Sequence, residues 1–213
     1  MSRGWIERRR RDYFYRMAKK EDLRSRASFK LLEISRKFDL IKEGDVVVDL
    51  GAAPGGWLQI SRRIVGESGF VLGVDIKEIE PLGFSNVITI VGDIMEPDII
   101  RRIRALLPRP ADVVISDVSP NISGVWEVDH ARQIELAERS LRIAVKVLRE
   151  KGNFLVKVFQ GDLQFYFLRE VRGFFRFVRT FKPKASRKES AEIYVLGIGF
   201  KGDETAGLLS RNL

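Results

Sequence analysis

Apolar residues along the chain follow two periods. Short apolar-rich runs at 46–50, 70–76, 87–91, 112–117, 154–159, 177–181 and 191–200 have the length and composition of strands. Between them, 56–65, 97–107, 129–150 and 163–175 carry apolar residues three and four apart and read as helices. The longest has the stripe Ile134, Ala137, Leu141, Ala144, Val145 and Leu148, and Gly152 punctuates its end. Pro97 falls in the first turn of its helix, with Pro108 and Pro110 just beyond the end. Upstream, Ala27, Leu31, Ile34 and Phe38 recur at helical spacing with Leu32 on the flank. Strands alternating with helices predict an α/β fold built on a doubly wound, mostly parallel sheet. The connection 182–190 is too short for a crossover helix, so the last two strands should form an antiparallel hairpin.

The chain has 213 residues, enough for one domain with a sizeable core. No apolar run approaches the ~18 residues of a membrane span, and the Arg-rich N-terminus lacks the apolar centre of a secretory signal. There is no cysteine, which excludes a disulfide framework or thiolate metal site and fits a cytoplasmic location. The net charge of +9 is concentrated: residues 1–30 hold eleven Lys or Arg against four Asp or Glu. Trp5, Tyr13, Phe14 and Tyr15 are interleaved with them. Residues 1–24 therefore read as a basic arm, 25–200 as the domain and 201–213 as a loose tail. The arm is either a solvated extension or a phosphate-tracking segment whose rings stack on bases. From Arg176 to Lys188 there are six basic residues and no acid, a solubilising turn or a second phosphate contact.

The first strand runs into Asp49-Leu50-Gly51-Ala52-Ala53-Pro54-Gly55-Gly56-Trp57. A strand, a glycine-rich turn and a helix start present backbone N–H groups to a ligand. Gly51 would adopt angles closed to other residues, and Gly55 and Gly56 would let the main chain approach the ligand. Asp75, Asp93 and Asp117 each close a strand at the carboxyl edge, where ligands collect in such sheets. Any one alone reads as a cap or turn residue. Asp75 lies 24 residues after Gly51, near the offset at which an acid accepts ribose hydroxyls. Asp93 would then meet an adenine edge, and Asp117 the reacting end. The glycine spacing is not that of a dinucleotide site, which disfavours a nicotinamide-dependent dehydrogenase; S-adenosylmethionine, a nucleoside with a small polar tail, fits better.

Lys157 interrupts the apolar fifth strand. Burying an ammonium there is unfavourable unless it is paired or gives up its proton. Either its stem packs and its head reaches the sheet edge, or it is a general base beside Asp117. Lys30 lies off the upstream stripe, where a lysine is ordinarily solvated, but it would serve as a second cation. Glu192 opens the seventh strand and, if that strand is antiparallel, faces Lys157 and Asp117. His130, the one histidine, reads as structural, and Glu7 and Asp12 as partners of neighbouring arginines. No residue spacing suggests a metal site.

Five segments together resemble the FtsJ/RrmJ family. They are Ser25-Arg26-Ala27-Ser28-Phe29-Lys30-Leu31, the 49–57 turn, Ser116-Asp117-Val118-Ser119-Pro120-Asn121, Val156-Lys157-Val158-Phe159-Gln160-Gly161 and the run from Arg187 to Tyr194. The resemblance implies a Rossmann-like class I methyltransferase with a seven-stranded sheet and an antiparallel last strand. It implies methyl transfer from S-adenosylmethionine to a uridine ribose 2′-hydroxyl in large-subunit (23S) ribosomal RNA, by a monomer acting on the large ribosomal subunit. The catalytic set would fall on Lys30, Asp117, Lys157 and Glu192. Cofactor contacts would fall on Gly55, Trp57, Asp75, Asp93 and Asp117, with Gly51, Pro54 and Gly56 shaping the turn. In this picture Lys157 is the base, Lys30 stabilises the alkoxide and helps keep Lys157 neutral, and Asp117 and Glu192 orient the lysines and hold Lys157 in place. One common family form has Met before Ala-Pro-Asn where this chain has Val118-Ser119-Pro120-Asn121. The motifs leave open a tRNA or other RNA substrate, or an idle site in an RNA-binding assembly factor.

Overall fold

The computed structural model describes residues 13–187 and 189–202. Trp5, Glu7 and Asp12 of the basic arm, Lys188, and the tail beyond Gly202 lie outside the described residues. In chain order the elements are α1 (Tyr13–Lys20), α2 (Ser28–Phe38), β1 (Val46–Leu50), α3 (Gly56–Val65), β2 (Phe70–Asp75), β3 (Val87–Val91) and α4 (Ile99–Leu106). They continue with β4 (Ala111–Ser116), α5 (Trp126–Val147), β5 (Leu148–Phe159), α6 (Gln164–Phe174), β6 (Phe175–Phe181) and β7 (Glu192–Phe200).

The seven strands form one sheet in the order β3-β2-β1-β4-β5-β7-β6. β1 to β5 run parallel to one another, and β7 is antiparallel to both β5 and β6. The hairpin expected from the short connection is present. Its outer strand is β6, and the chain then turns back to place β7 against β5. Alternate residues face opposite layers. Val46, Val48, Leu50, Val114 and Phe154 pack toward α4, α5 and α6. Val47, Val113, Ile115 and Leu155 pack toward α2 and α3 through Leu31, Ile34, Leu58 and Ile60. These side chains are essentially solvent-free, and each full burial contributes about 1.5–3 kcal/mol.

Several boundaries shift from the sequence reading, among them the helix expected from Pro97, which starts at Ile99 after Pro97 and Asp98; three of the shifts have a clear local setting. Residues 13–24 are not a free arm: Phe14 packs on Phe29 with ring centroids 5.7 Å apart, and Ala18 and Leu23 are buried. Helix α5 starts at Trp126 rather than 129, and Asp129 sits inside its first turn. Its carboxylate reaches back to accept from the Ser123 N–H and hydroxyl, both at 2.8 Å, and from the Gly124 N–H at 3.0 Å. Strand β5 starts at Leu148 rather than 154. Ala111 pairs with Leu148 and Val113 with Asn153, so 149–152 bulge out, with Lys151 at φ +63°. The excursion brings Arg149 to Asp112, which also accepts from Val46 N–H at 2.7 Å and lies 2.6 Å from Arg109 Nη1. Burial pushes the Asp112 carboxyl up, but the Val46 N–H and the two guanidiniums outweigh it and hold it below the usual range. This cluster ties together the amino ends of β1, β4 and β5, opposite the edge that carries the site.

Candidate active site at the carboxyl edge of the sheet

The turn after β1 has the backbone its glycines predict. Gly51 lies at φ +78° and Gly55 at φ +104°, both in the region that favours glycine. What presses on the turn is the chain itself. A Cβ on Gly56 would sit 2.3 Å from Ser25 Oγ and 2.7 Å from Ser28 Oγ, and one on Gly55 would sit 2.9 Å from an Arg24 nitrogen. The sequence reading reserved this space for a ligand; segment 24–28 fills it. Arg24 donates to the carbonyls of Pro54 at 3.2 Å, Glu80 at 2.5 Å and Pro81 at 3.0 Å. Ser28 donates to Gly56 O at 3.0 Å, and the Trp57 indole N–H donates to Ala27 O at 2.8 Å. The Trp57 side chain is buried, so a cofactor contact expected there belongs to its backbone. Helix α3 begins without a side-chain cap, which leaves first-turn N–H groups to serve an anionic tail.

Three carboxylates surround the turn. Asp75 braces it, accepting from Ala53 N–H and Lys77 N–H, both at 2.9 Å. Asp93 accepts from Met95 N–H at 2.9 Å. A carboxylate oxygen accepts more than one bond, so both acids retain capacity for hydroxyl or amine donors. Asp49 is fully buried beneath the turn, and neither of its oxygens has a hydrogen-bond partner among the described residues. Burial first, then the charges of Asp117 and Asp75, push its carboxyl well above the usual range. A cationic group seated over the turn would satisfy it.

Asp49 makes a pH signature. Its folded pKa lies above the unfolded one, so as pH rises the unfolded chain releases this proton first. The stability associated with Asp49 is present below the unfolded value and is lost toward the folded one, at about 1.4 kcal/mol per pH unit. In melts of the cofactor-free protein, Asp49→Asn should gain on the wild type progressively as pH rises above about 4. A constant difference between the two across that range would show that Asp49 titrates normally.

At the rim, β4, β5, β7 and α2 converge. Lys157 is almost fully buried. Its Nζ donates to Asp117 O at 2.8 Å and lies 3.2 Å from Asp117 Oδ1. The Tyr194 hydroxyl donates to the same Asp117 oxygen at 2.7 Å. Burial pushes the Asp117 carboxyl up, but the Lys157 and Lys30 charges and the Tyr194 hydroxyl bring it below the usual range. Tyr194 itself is raised well above its normal value, by burial and then by Asp117 and Glu192, which keeps it a neutral donor. Lys30 is not solvated: it is 9% exposed, donates to Glu192 Oε1 at 2.5 Å and stands 5.7 Å from the Tyr194 ring centroid.

All four expected catalytic side chains thus converge, with one correction. Glu192 holds Lys30, not Lys157. The β5–β7 register sets Lys157 opposite Tyr194 and Glu192 opposite Phe159. Tyr194 therefore faces Lys157, while Glu192 is turned toward α2, where Ser186 also donates to it at 2.9 Å. The Tyr194 ring lies 5.9 Å from Trp57, linking the rim to the glycine turn.

Two contributors escaped the sequence reading. Tyr194 lies two residues after Glu192 and so on the same strand face; that spacing was the available signal. Gln133, buried in α5, donates to Val118 O at 3.2 Å and Lys157 O at 3.0 Å, fastening the loop after β4 to the strand that carries Lys157. Nothing in the helical pattern singled it out. His130 is structural, stacked on Trp126 at 5.5 Å and accepting from Leu163 N–H at 3.2 Å.

Comparison with known proteins points the same way. Residues 23–200 match the family model described as FtsJ-like methyltransferase. A relative from Methanococcus maripaludis, named ribosomal RNA large subunit methyltransferase E, is 52% identical over 198 residues, which is 93% of this chain and 77% of the relative. One of the same name from Methanocaldococcus jannaschii is 49% identical, covering 93% of this chain and 82% of the relative. A crystal structure of a ribosomal RNA methyltransferase from Plasmodium falciparum superimposes with a TM-score of 0.74 at 26% identity, covering 84% of this chain and 99% of that one. Aeropyrum pernix fibrillarin with bound S-adenosyl-L-methionine shares the fold at a TM-score of 0.55 and 19% identity, covering 75% of this chain and 68% of that one. With the family model spanning most of the chain and relatives about half identical along nearly all of it, the chain belongs to the FtsJ-like methyltransferase family.

Proposed function

We propose that this protein methylates the ribose 2′-hydroxyl of a uridine in large-subunit (23S) ribosomal RNA, with S-adenosylmethionine as methyl donor and Lys157 as general base. The observation that carries the reading is the two linked pairs at the rim, Lys157 with Asp117 and Lys30 with Glu192, joined through Tyr194. The names of the relatives about half identical to this chain support ribosomal RNA as the substrate. The donor, when bound, supplies an electrophilic methyl group on a sulfonium.

The residues present fit that donor. Asp75 and Asp93 accept from the nucleoside, the first turn of α3 receives the tail carboxylate, and the unpartnered Asp49 answers a positive group. Lys157 in its neutral form takes the 2′-hydroxyl proton as the oxygen attacks, and Asp117 holds the ammonium that forms. Lys30, anchored by Glu192, faces the developing negative charge on oxygen. Alignment of hydroxyl and methyl contributes about 7–11 kcal/mol. The protein acts as a monomer on the large subunit, in the cytoplasm.

The test offers methyl-labelled S-adenosylmethionine with isolated ribosomal RNA, large subunits or tRNA, and maps the modified nucleotide. Label on a uridine 2′-oxygen of the large-subunit RNA is expected; label confined to tRNA or to a base would overturn the assignment. RNA affinity should also fall steeply with salt. If six to ten phosphates are engaged, about 10³–10⁵ is lost between 50 and 200 mM. A flat response would remove the basic surface as an RNA contact.

A further inference from the structure

The first turns of α5 and α6 meet at the carboxyl edge of the sheet, and both carry exposed rings. The Trp126 ring lies flat against His130, with centroids 5.5 Å and planes 11° apart, and against Phe159, at 6.1 Å and 24°. His130 is buried, and its bond from Leu163 N–H fastens the start of α6 to α5. Phe165 and Tyr166 stand edge to face at 5.8 Å, and the Arg169 guanidinium lies 5.9 Å from the Tyr166 ring. Even with its neighbours in place, Trp126 is 45% exposed, Phe165 62% and Tyr166 60%. Large rings gathered in water mark an interaction surface. This one is continuous with the catalytic rim. Phe159 follows Lys157 by two residues on β5, and the loop that begins at Asp117 ends at Trp126. Gln133 ties that loop to β5 at the Lys157 carbonyl. An RNA that presents a 2′-hydroxyl to Lys157 therefore passes beside these rings.

We propose that Trp126 is a stacking platform for an unpaired base of the substrate RNA, that of the target nucleotide or of an immediate neighbour. This rests on the 2′-O-methylation reading. Every base has a π-face, so an aromatic ring holds a nucleotide without reading which base it carries. The packing on His130 and Phe159 fixes the Trp126 plane in advance, so little side-chain freedom is lost when a base settles on it. A base held flat restrains the sugar it hangs from, and that restraint serves the alignment on which methyl transfer depends. A base stacked within a duplex has no free face to offer. The RNA segment acted on is therefore single-stranded at this point.

The test measures affinity for an oligoribonucleotide spanning the target uridine, and for versions that lack the base, one at a time, at the target and at its two neighbours. For the wild type, one of these removals should weaken binding by about tenfold, the worth of one base–aromatic stack. Trp126→Ala should weaken binding of the intact RNA by a similar factor and lose the preference over that abasic RNA. Trp126→Phe should restore most of both. The salt dependence should keep its slope, because no phosphate contact is touched. With large subunits as substrate, the Trp126→Ala loss should fall in KM more than in kcat. S-adenosylmethionine titration checks that the variants are folded. A wild type that binds intact and abasic RNAs equally, or a Trp126→Ala variant that keeps the wild-type preference, overturns the proposal alone. So does a Trp126→Ala variant that binds RNA normally but fails on subunits, which would mark the surface as a protein contact. Absence of 2′-O-methyl transfer by the wild type to large-subunit RNA, free or assembled, overturns the parent reading and this one with it.

Discussion

Lys157→Met is expected to lower single-turnover methyl transfer by about 10²–10⁴-fold, the contribution of a well-placed general base. Methionine keeps most of the stem volume that packs in β5 and removes only the amine. S-adenosylmethionine affinity should survive, because the turn, Asp75 and Asp93 are untouched. The loss should appear in kcat more than in the RNA KM, since the proton is transferred only as the reaction proceeds. Asp117 would respond as well. Lys157 is the largest influence holding its carboxyl down against burial, so the Asp117 pKa should rise in the variant. Turnover within tenfold of wild type would remove Lys157 as the base.

The second large effect falls on stability. Lys30 and Glu192 form an ion pair whose side chains are only 11% and 12% exposed. Removing one partner of a buried pair costs about 3–5 kcal/mol, because the other charge is left uncompensated. Glu192→Ala should therefore lower the denaturation midpoint by about that free energy and remove activity together. The double variant Lys30→Met, Glu192→Met should regain most of the lost stability, since apolar replacement of a whole buried pair is often neutral or better. It should remain inactive. Urea denaturation and methyl transfer on the same samples separate the two. If the double variant is no more stable than Glu192→Ala alone, the pair is not the source of the loss.

Much of this architecture was legible in the sequence because the relevant signals are local. The uninterrupted apolar runs of β1 and β4 mark strands buried on both faces, and the glycines of the 49–57 turn mark backbone that other residues adopt only with strain. The acids that close β2 and β4 announce the edge at which the site forms. What was not legible depends on contacts far apart in sequence. Lys30 reads as a solvated lysine on its own helix; its burial follows only once β7, some 160 residues later, brings Glu192 and Tyr194 to α2. Gly55 and Gly56 were assigned to a ligand because nothing local shows Arg24, Ser25 and Ser28 folding over them. The helix read as starting at 129 begins three residues earlier, and Asp129 bonds backward from inside its first turn to Ser123 and Gly124.

The position of β7 also has a consequence during synthesis. Asp117 and Lys157 lie on neighbouring parallel strands that pair with each other, whereas Glu192 and Tyr194 arrive on a strand that must pair on both sides, with β5 and β6. On a translating ribosome the nascent chain would carry an acid and a base without the residues that lock them. Pairings between distant parts of a chain form slowly. Competence is therefore acquired at the close of folding, once β7 has paired on both of its sides.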